Sequence, residues 1–262
     1  TLMLGPAFET LSGTGEPYLW SLARDSKGTI YAGSGSEGRV LRLKGGKAET
    51  FFDSEELEIH ALAVDAKDNL YVGTSPRGKV YRITPAGKSE VFYDPEETYI
   101  WSLLFDRKGN LLVGTGTHGR IYRISPAGKG DLFLDTEETH IRVLALSPAG
   151  EVIAGTDGKG LILKIDIEGN SRVLASSPLP EVVALVGGAG GRIYFATAGQ
   201  GSRAPQRPAA PSPARPATPS EEERIPGQPA PENPPPAPQP AAPAAAPAPQ
   251  TGAGVESKIV AL

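Results

Sequence analysis

Apolar and polar residues alternate with a period of two over short stretches of this chain, and turn residues interrupt the alternation every few positions. Within residues 58–93 the alternation covers four stretches, at 59–64, 70–74, 78–84 and 89–93. This pattern is typical of half-buried β-strands, because successive side chains of a strand point to opposite faces. The period of 3.6 residues that a helix would show is absent. We therefore predict four short strands in this unit.

The same unit recurs along the chain. Four apolar runs each end in a glycine, here called the anchor glycine, and the anchors stand 40, 41 and 41 residues apart at Gly33, Gly73, Gly114 and Gly155. A second glycine follows each anchor by five residues, at Gly38, Gly78, Gly119 and Gly160. Four strands in about 40 residues form one propeller blade. We predict an all-β fold, a β-propeller of four-stranded blades with about five repeats visible.

Both ends of the chain hold incomplete copies of the unit. Residues 7–12 align with the fourth strand of a blade, and residues 181–186 and 192–197 supply the first two strands of a fifth blade, where Ala196 replaces the anchor glycine. One alternative is a closed five-bladed ring, in which residues 7–12 complete the fifth blade. The other is a fragment of a propeller with six to eight blades. The missing initiator methionine and the end at Leu262 in mid-pattern favour the fragment.

A proline-rich segment interrupts the fifth blade. Residues 202–254 hold 17 of the 26 prolines, and residues 257–262 then resemble the missing third strand. The segment has too few large apolar residues to offset the entropy lost on ordering, so we predict a disordered or partly polyproline II insertion. It serves as a tolerated surface loop, or as a tether or a ligand for proline-binding grooves. The predicted domains are blades at 1–201, the insertion at 202–254 and the resumed strand at 255–262.

Composition excludes several classes of function. The net charge is −4 without a basic face, so nucleic acid is not an expected partner. No apolar run approaches the roughly 20 residues of a membrane helix, and no cysteine is present for disulfides or thiolate metal sites. The sequence has no nucleophile elbow, P-loop or dinucleotide fingerprint, and its three histidines lack metal-ligand spacing. We therefore predict no catalytic residue, no metal and no cofactor.

An acidic phrase precedes the first strand of the second, third and fourth blades, at Asp53/Glu55/Glu56, Asp94/Glu96/Glu97 and Asp135/Glu137/Glu138. These carboxylates could bind cations or a basic partner. We interpret them instead as solvated loops that discourage edge-to-edge aggregation.

One position in the first strand of each blade changes while its neighbours barely change. The residues at this position are Trp20, His60, Trp101, Arg142 and Val183. In every copy the residue before it is apolar. The first strand lines the central channel, so we predict that these side chains meet at the channel mouth. They would form a cage for an aromatic, sugar or anionic ligand, or would merely plug the mouth. Arg77 and His118, in the loops after the second strands on the same face, complete the candidate ligand-binding set.

Two phrases resemble bacterial propeller repeats. I-W-S-L-L-F-D-R-K-G-N-L-L-V-G-T, residues 100–115, is similar to repeats of the sensor propellers joined to two-component regulators. G-R-I-Y-R-I-S-P-A-G-K, residues 119–129, resembles repeats of the NHL type and of streptogramin lyase. The resemblance implies a ligand-binding or interaction module, often extracytoplasmic. The lyase family uses a histidine and a glutamate on one face, and no pair of residues in this sequence is assigned to those roles.

The function expected from these observations is a non-enzymatic ligand-binding, sensor or protein-interaction module. Its partner is a small molecule, a glycan or a protein on the channel-mouth face. The alternative is a propeller-type hydrolase or lyase that acts on a lactone or cyclic ester. An extracytoplasmic location, periplasmic or secreted, follows from the resemblance.

Overall fold

The computed structural model describes residues 10–200 and 255–261, and within them the strands group into blades as predicted. The first blade contains β1 (Leu19–Arg24), β2 (Ile30–Ser34), β3 (Arg39–Lys44) and β4 (Lys47–Asp53). The second contains β5 (Glu58–Val64), β6 (Leu70–Ser75), β7 (Gly78–Ile83) and β8 (Ser89–Glu97). The third contains β9 (Tyr99–Phe105), β10 (Leu111–Gly116), β11 (Arg120–Ile124) and β12 (Gly130–Asp135).

The fourth blade contains β13 (His140–Leu146), β14 (Val152–Asp157), β15 (Leu161–Ile165) and β16 (Ser171–Ser176). The fifth contains β17 (Glu181–Gly187), β18 (Ile193–Gln200) and β19 (Val255–Ala261), with a 3₁₀ turn at Ala189–Gly191 between the first two. Neighbouring strands within every blade pair antiparallel. The first strands of successive blades, β1, β5, β9, β13 and β17, are themselves neighbours in that order.

The hydrophobic core is divided among the interfaces between blades. Between the first two blades, Tyr31 and Val40 pack with Ile59 and Val72, and three further clusters occupy the next three interfaces. A single blade therefore cannot bury its apolar residues, which is why the fold is built by repetition.

Hairpin turns begin with an aspartate that bonds to its own backbone. In the second blade, Oδ1 of Asp65 accepts hydrogen bonds from the N–H groups of Lys67 and Asn69, at 2.8 and 2.9 Å. Asp106 repeats this arrangement in the third blade. The next-to-last turn position needs a positive φ, and Gly109 supplies it with a φ of 80°.

The structure differs from prediction at the start of the chain. Residues 10–12 form no strand, and Ser12 instead uses its hydroxyl oxygen to accept a hydrogen bond from the N–H of Ala48 in β4. The predicted strand at 7–12 is therefore wrong for these three residues. Residues 7–9, the predicted insertion at 202–254 and Leu262 lie outside the described residues.

At the other end of the described chain, β19 pairs antiparallel with β18, with Ile259 opposite Ala196. In the two described ranges, no helix has the length and the apolar character that crossing a bilayer requires.

Candidate functional site

The variable positions of the first strands share an unusual backbone feature. In each of the five blades, the strand gains one residue relative to its partner, so that a β-bulge interrupts the pairing. In the second blade, for example, Ile59 pairs with Thr74 and Ala61 pairs with Gly73, so His60 is the extra residue. The extra residues, here called the bulge row, are Trp20, His60, Trp101, Arg142 and Val183. A bulge re-aims one side chain and is common beside functional sites.

Four members of the bulge row lie in contact with one another. The rings of Trp20 and His60 are 5.7 Å apart between centroids, and those of His60 and Trp101 are 4.4 Å apart. The guanidinium carbon of Arg142 lies 3.9 Å from the centroid of the Trp101 ring. This distance places the cation on the indole face, in a favourable cation–π geometry. The structure thus brings together Trp20, His60, Trp101 and Arg142, in chain order.

A second row stands two residues earlier in each blade. This flanking row consists of Tyr18, Glu58, Tyr99, His140 and Glu181. Tyr18 stacks on Trp20 at 5.7 Å with an angle of 6° between the rings, and Tyr99 stacks on Trp101 at 5.1 Å and 17°. The flanking row was not predicted from the sequence as part of the site. The sequence does contain a pattern that could have indicated this row, because its two tyrosines occur only where the bulge residue is tryptophan.

Hydrogen bonds fix the polar members of both rows. Nε2 of His60 lies 2.8 Å from the carboxylate of Glu58, and Nε1–H of Trp101 donates to Nδ1 of His140 at 3.0 Å. Nε–H of Arg142 donates to Glu181 of the next blade at 2.7 Å. These partners set the imidazole tautomers. His140 accepts at Nδ1 and so carries its proton on Nε2, whereas neutral His60 donates from Nε2.

Both imidazoles favour the neutral form. Burial lowers the pKa of His60 below its ordinary 6.5, against the opposing effect of the hydrogen bond that His60 donates to Glu58, and the charge of Arg142 lowers it further. Burial likewise lowers the pKa of His140, with Arg142 adding to the effect and with Asp157 and Glu181 opposing it. At neutral pH the formal charges of the two rows are therefore one guanidinium, Arg142, and two carboxylates, Glu58 and Glu181.

We expect stability to fall as the pH is lowered through the range where unfolded histidine protonates. The folded pKa of His60 and of His140 lies below 6.5, so the unfolded chain binds more protons below that pH. The free energy of unfolding should therefore decrease from pH 7.5 to 5.5. Urea unfolding at both values measures this decrease, and the His60→Gln/His140→Gln variant should lose less stability over the interval. An equal loss in both proteins would contradict the assignment.

One residue near the end of the second strand varies with the residue that occupies the bulge. Residues at one position near its end, here called the facing position, are Gly35, Ser75, Gly116, Asp157 and Ala198. A Cβ built on Gly35 would overlap the indole nitrogen of Trp20, and a Cβ on Gly116 would overlap that of Trp101. Glycine therefore stands where the bulge holds tryptophan, because the indole occupies the space of a side chain. The larger facing residues occur only beside histidine, arginine and valine.

The remaining two candidates, Arg77 and His118, make their contacts away from the bulge row. Nε–H of Arg77 donates to Glu56 at 2.9 Å, and Nδ1 of His118 lies 2.8 Å from Glu97. Both carboxylates are the last residue of an acidic phrase. Their side chains are 2% and 1% exposed, respectively, whereas His118 is 58% exposed.

The acidic phrases are thus only partly solvated, which corrects the sequence interpretation. Asp53 and Glu55 are exposed, but Glu56 is buried beneath the loop that carries Arg77. The equivalent residues Glu16, Glu97 and Glu138 also have side chains no more than 3% exposed, and all are paired with basic groups. We call these four residues the buried glutamates. In the second, third and fourth blades they join the segment before the first strand to the loop after the second strand, whereas Glu16 in the first blade pairs with Arg39 at the start of β3.

Comparison with known protein families and with curated proteins finds no match. Solved structures do share the fold. Virginiamycin B lyase from Staphylococcus aureus superposes with a TM-score of 0.59 and 16% identity, over 68% of this chain and 62% of that one. The extracellular domain of BT4673 from B. thetaiotaomicron, described as a hybrid two-component system, gives 0.57 and 18% over 68% of this chain and 26% of that one. A structure described as a gluconolactonase gives 0.54 and 17%, over 68% and 70%.

The chain spans about three fifths of the length of the lyase structure. At these identities the likeness concerns the fold, which these proteins use for different purposes. The chain is a β-propeller repeat protein, and its structural neighbours include both kinds of bacterial propeller that its repeat phrases resemble.

Proposed function

We propose that this protein is a non-enzymatic binding module and that its ligand occupies the bulge row. The observation that supports this proposal is the placement of the five variable residues on five β-bulges. Four of these residues form a continuous series, in which each contacts the next. Bulges that served only to bend the strands would not require tryptophan, histidine and arginine. The extracellular domain among the structural neighbours supports an extracytoplasmic location.

The chemistry of the two rows favours a neutral ligand with an apolar face and several hydroxyl groups. Trp20 is 50% exposed and offers ring surface, while Arg142 and the outer nitrogen of His140 offer donors. Glu58 and Glu181 offer acceptors, each through an oxygen that is not used by its partner in the row. A hydroxyl can both donate and accept, so it suits such a mixed surface. The two carboxylates disfavour the anionic ligand that was considered from the sequence.

Tryptophan fluorescence gives a direct test, because the only two tryptophans of the sequence, Trp20 and Trp101, both belong to the bulge row. We expect a sugar or small polyol ligand from a glycan and metabolite panel to change this emission and to raise the melting temperature. The Trp20→Ala and Arg142→Ala variants should bind at least about fivefold more weakly, since one stacking ring or one guanidinium contact contributes roughly 1 kcal/mol or more.

Val173→Ala is the matched control. Val173 is 56% exposed on β16, in the outer strand of the fourth blade, and its replacement should leave the affinity unchanged. Affinity that survives in both Trp20→Ala and Arg142→Ala would exclude the bulge row as the binding site.

A second candidate function rests on His118. In its neutral form, His118 donates a hydrogen bond from Nδ1–H to Glu97 and therefore leaves Nε2 unprotonated. The side chain that carries this nitrogen is 58% exposed. Such a carboxylate-oriented imidazole can act as a general base. The equivalent positions hold Glu37, Arg77 and Lys159, and the guanidinium and ammonium groups of the last two offer only hydrogen-bond donors. This difference favours a hydrolase or lyase that acts on a lactone or cyclic ester.

Turnover of a lactone panel in the presence of a chelator tests this alternative. The enzyme hypothesis expects turnover that His118→Ala abolishes and that Arg77→Ala retains, because Arg77 has the same contact with a buried glutamate. Turnover unaffected by His118→Ala, or absent from the wild type, would leave the binding module as the function.

A further inference from the structure

The hairpin turns that join first and second strands lie at the end of the blades remote from the bulge row. At two interfaces a side chain bridges the turns of neighbouring blades. Between the first two blades, the backbone N–H and the hydroxyl of Ser26 donate to the carboxylate of Asp68, at 2.9 and 2.8 Å. Between the third and fourth blades, the guanidinium of Arg107 donates to the carbonyl oxygens of Pro148 and Ala149. Ser26 and Arg107 are both the second residue of their turn, which we call the bridging position.

A cleft lies between two blades where the bridging position lacks a side-chain donor. The second blade has Ala66 there, and the third blade has Gly109 at the position of the acceptor Asp68. The cleft between these blades measures about 400 Å³. The fourth blade has Pro148 at its bridging position, and its cleft with the fifth blade measures about 440 Å³. At the bridged interface between the third and fourth blades, the equivalent cleft is reduced to about 40 Å³.

Aromatic rings line the cleft between the second and third blades. The ring of Tyr71 meets the rings of Phe92 and Phe105 edge to face, at centroid distances of 5.0 and 5.1 Å. The cleft between the fourth and fifth blades has Ile153 and Leu174 in place of the first two rings. Aromatic rings attract a further ring in stacked or edge-to-face geometry. Of the two open clefts, the one between the second and third blades is therefore suited to an aromatic ligand.

The charged residues of this cleft differ in how far their hydrogen-bonding capacity is used. Asp65 and Asp106 each accept two backbone N–H groups at Oδ1 and an asparagine side chain at Oδ2. Arg82 pairs with a glutamate of its own blade, and Arg107 forms the bridge to the fourth blade. The ammonium group of Lys67 pairs with no carboxylate in the part of the chain that the structure describes. A ligand that carries an anionic acceptor would satisfy this cation.

We propose that the cleft between the second and third blades is a second binding site and that its ligand is a small aromatic carboxylate. The ring of the ligand lies against Tyr71, Phe92 and Phe105, and its carboxylate accepts hydrogen bonds from Lys67. A volume of about 400 Å³ lies within the range of small-molecule sites. The cleft shares no residue with the bulge row, so this inference does not depend on the function proposed for that row.

Ligand-observed NMR titration of the full chain tests the proposal with three probes that differ in charge: phenylacetate, 2-phenylethanol and 2-phenylethylamine. We expect saturable binding of phenylacetate in the millimolar range, with a Kd about fivefold lower than that of the amine. Lys67→Gln should raise the Kd of phenylacetate about threefold and leave that of 2-phenylethanol unchanged. Binding of the amine as tight as that of phenylacetate, or equal effects of Lys67→Gln on both other probes, would overturn the proposal.

A variant that closes the cleft gives a second test. Ala66→Arg places the residue of the third blade at the bridging position of the second, so it should fill the cleft and weaken phenylacetate binding at least about tenfold. Pro148→Arg is the matched control, because it changes the same position beside the cleft that has aliphatic residues instead. This control should bind phenylacetate as the wild type does. Binding that survives Ala66→Arg, or that is lost in Pro148→Arg, would contradict the assignment to the cleft between the second and third blades.

Tryptophan emission separates this site from the bulge row. Both tryptophans of the sequence lie in the bulge row, so a probe that occupied that row would change their emission. We expect phenylacetate to leave the emission unchanged at concentrations that saturate the NMR titration. A change in emission that follows the same titration curve would place the probe in the bulge row and overturn the proposal.

Discussion

Replacing Gly119 by alanine should destabilise the protein by about 4 kcal/mol, a large effect for a single methyl group. Two penalties add. Gly119 has a φ of 57°, where alanine is strained, and its new Cβ would overlap the carbonyl oxygen of Glu138. The obstacle is backbone in the next loop, which is held by the hydrogen bond from Gly119 N–H to the carbonyl oxygen of Thr139. The urea unfolding midpoint measures the loss.

Gly45→Ala separates the two penalties. Gly45 has almost the same φ, 59°, and no atom lies within 4 Å of its added Cβ. This control should cost only the backbone strain, about 1 kcal/mol. If the two variants lose the same stability, the contact between the two loops is not what requires glycine at position 119.

Replacing Glu56 by alanine should cost about 2–3 kcal/mol, because Glu56 accepts two hydrogen bonds in a buried site. The backbone N–H and the Nε–H of Arg77 both donate to its carboxylate, at 3.2 and 2.9 Å. Alanine would leave the backbone donor without its partner. Thermal and urea unfolding measure the effect.

The neighbouring residue supplies the control for this variant. Glu55 is exposed and belongs to the same acidic phrase, so Glu55→Ala should change stability by less than about 0.5 kcal/mol. Glu56→Leu should fall between the two alanine variants, since Leu179 fills the equivalent position of the fifth blade and is 1% exposed. Equal losses in Glu55→Ala and Glu56→Ala would restore the interpretation of a solvated loop.

The fold could be predicted because its determinants are local and repeat along the chain. Alternation located the strands, aspartate and glycine located the turns, and the spacing of anchor glycines identified the blade. The strand predicted at residues 7–12 failed for residues 10–12. That prediction rested on alignment of the segment with the fourth strands of the other blades. A strand forms only where a neighbouring strand pairs with it, and the sequence of the segment does not show whether such a neighbour is present.

The site could be predicted in part. The variable position was visible in the aligned repeats, and four of its residues are indeed in contact. The bulge itself was not visible, since it depends on the register between two strands. The facing position could have indicated it, because Gly35 and Gly116 accompany Trp20 and Trp101. The buried glutamates were missed because three carboxylates in one phrase look alike, although Leu179 at the equivalent position points to the interior.

The bulges free one position in each first strand from the strand pairing of its blade. A bulge residue has no partner in the strand ladder, and the facing residue that must accommodate it lies in the same blade. The pair Trp20 and Gly35, or Arg142 and Asp157, can thus be exchanged as a unit without altering the strand pairing of its own blade. A gene that grows by duplicating blades could in this way acquire a new recognition surface through two codon changes in one copy.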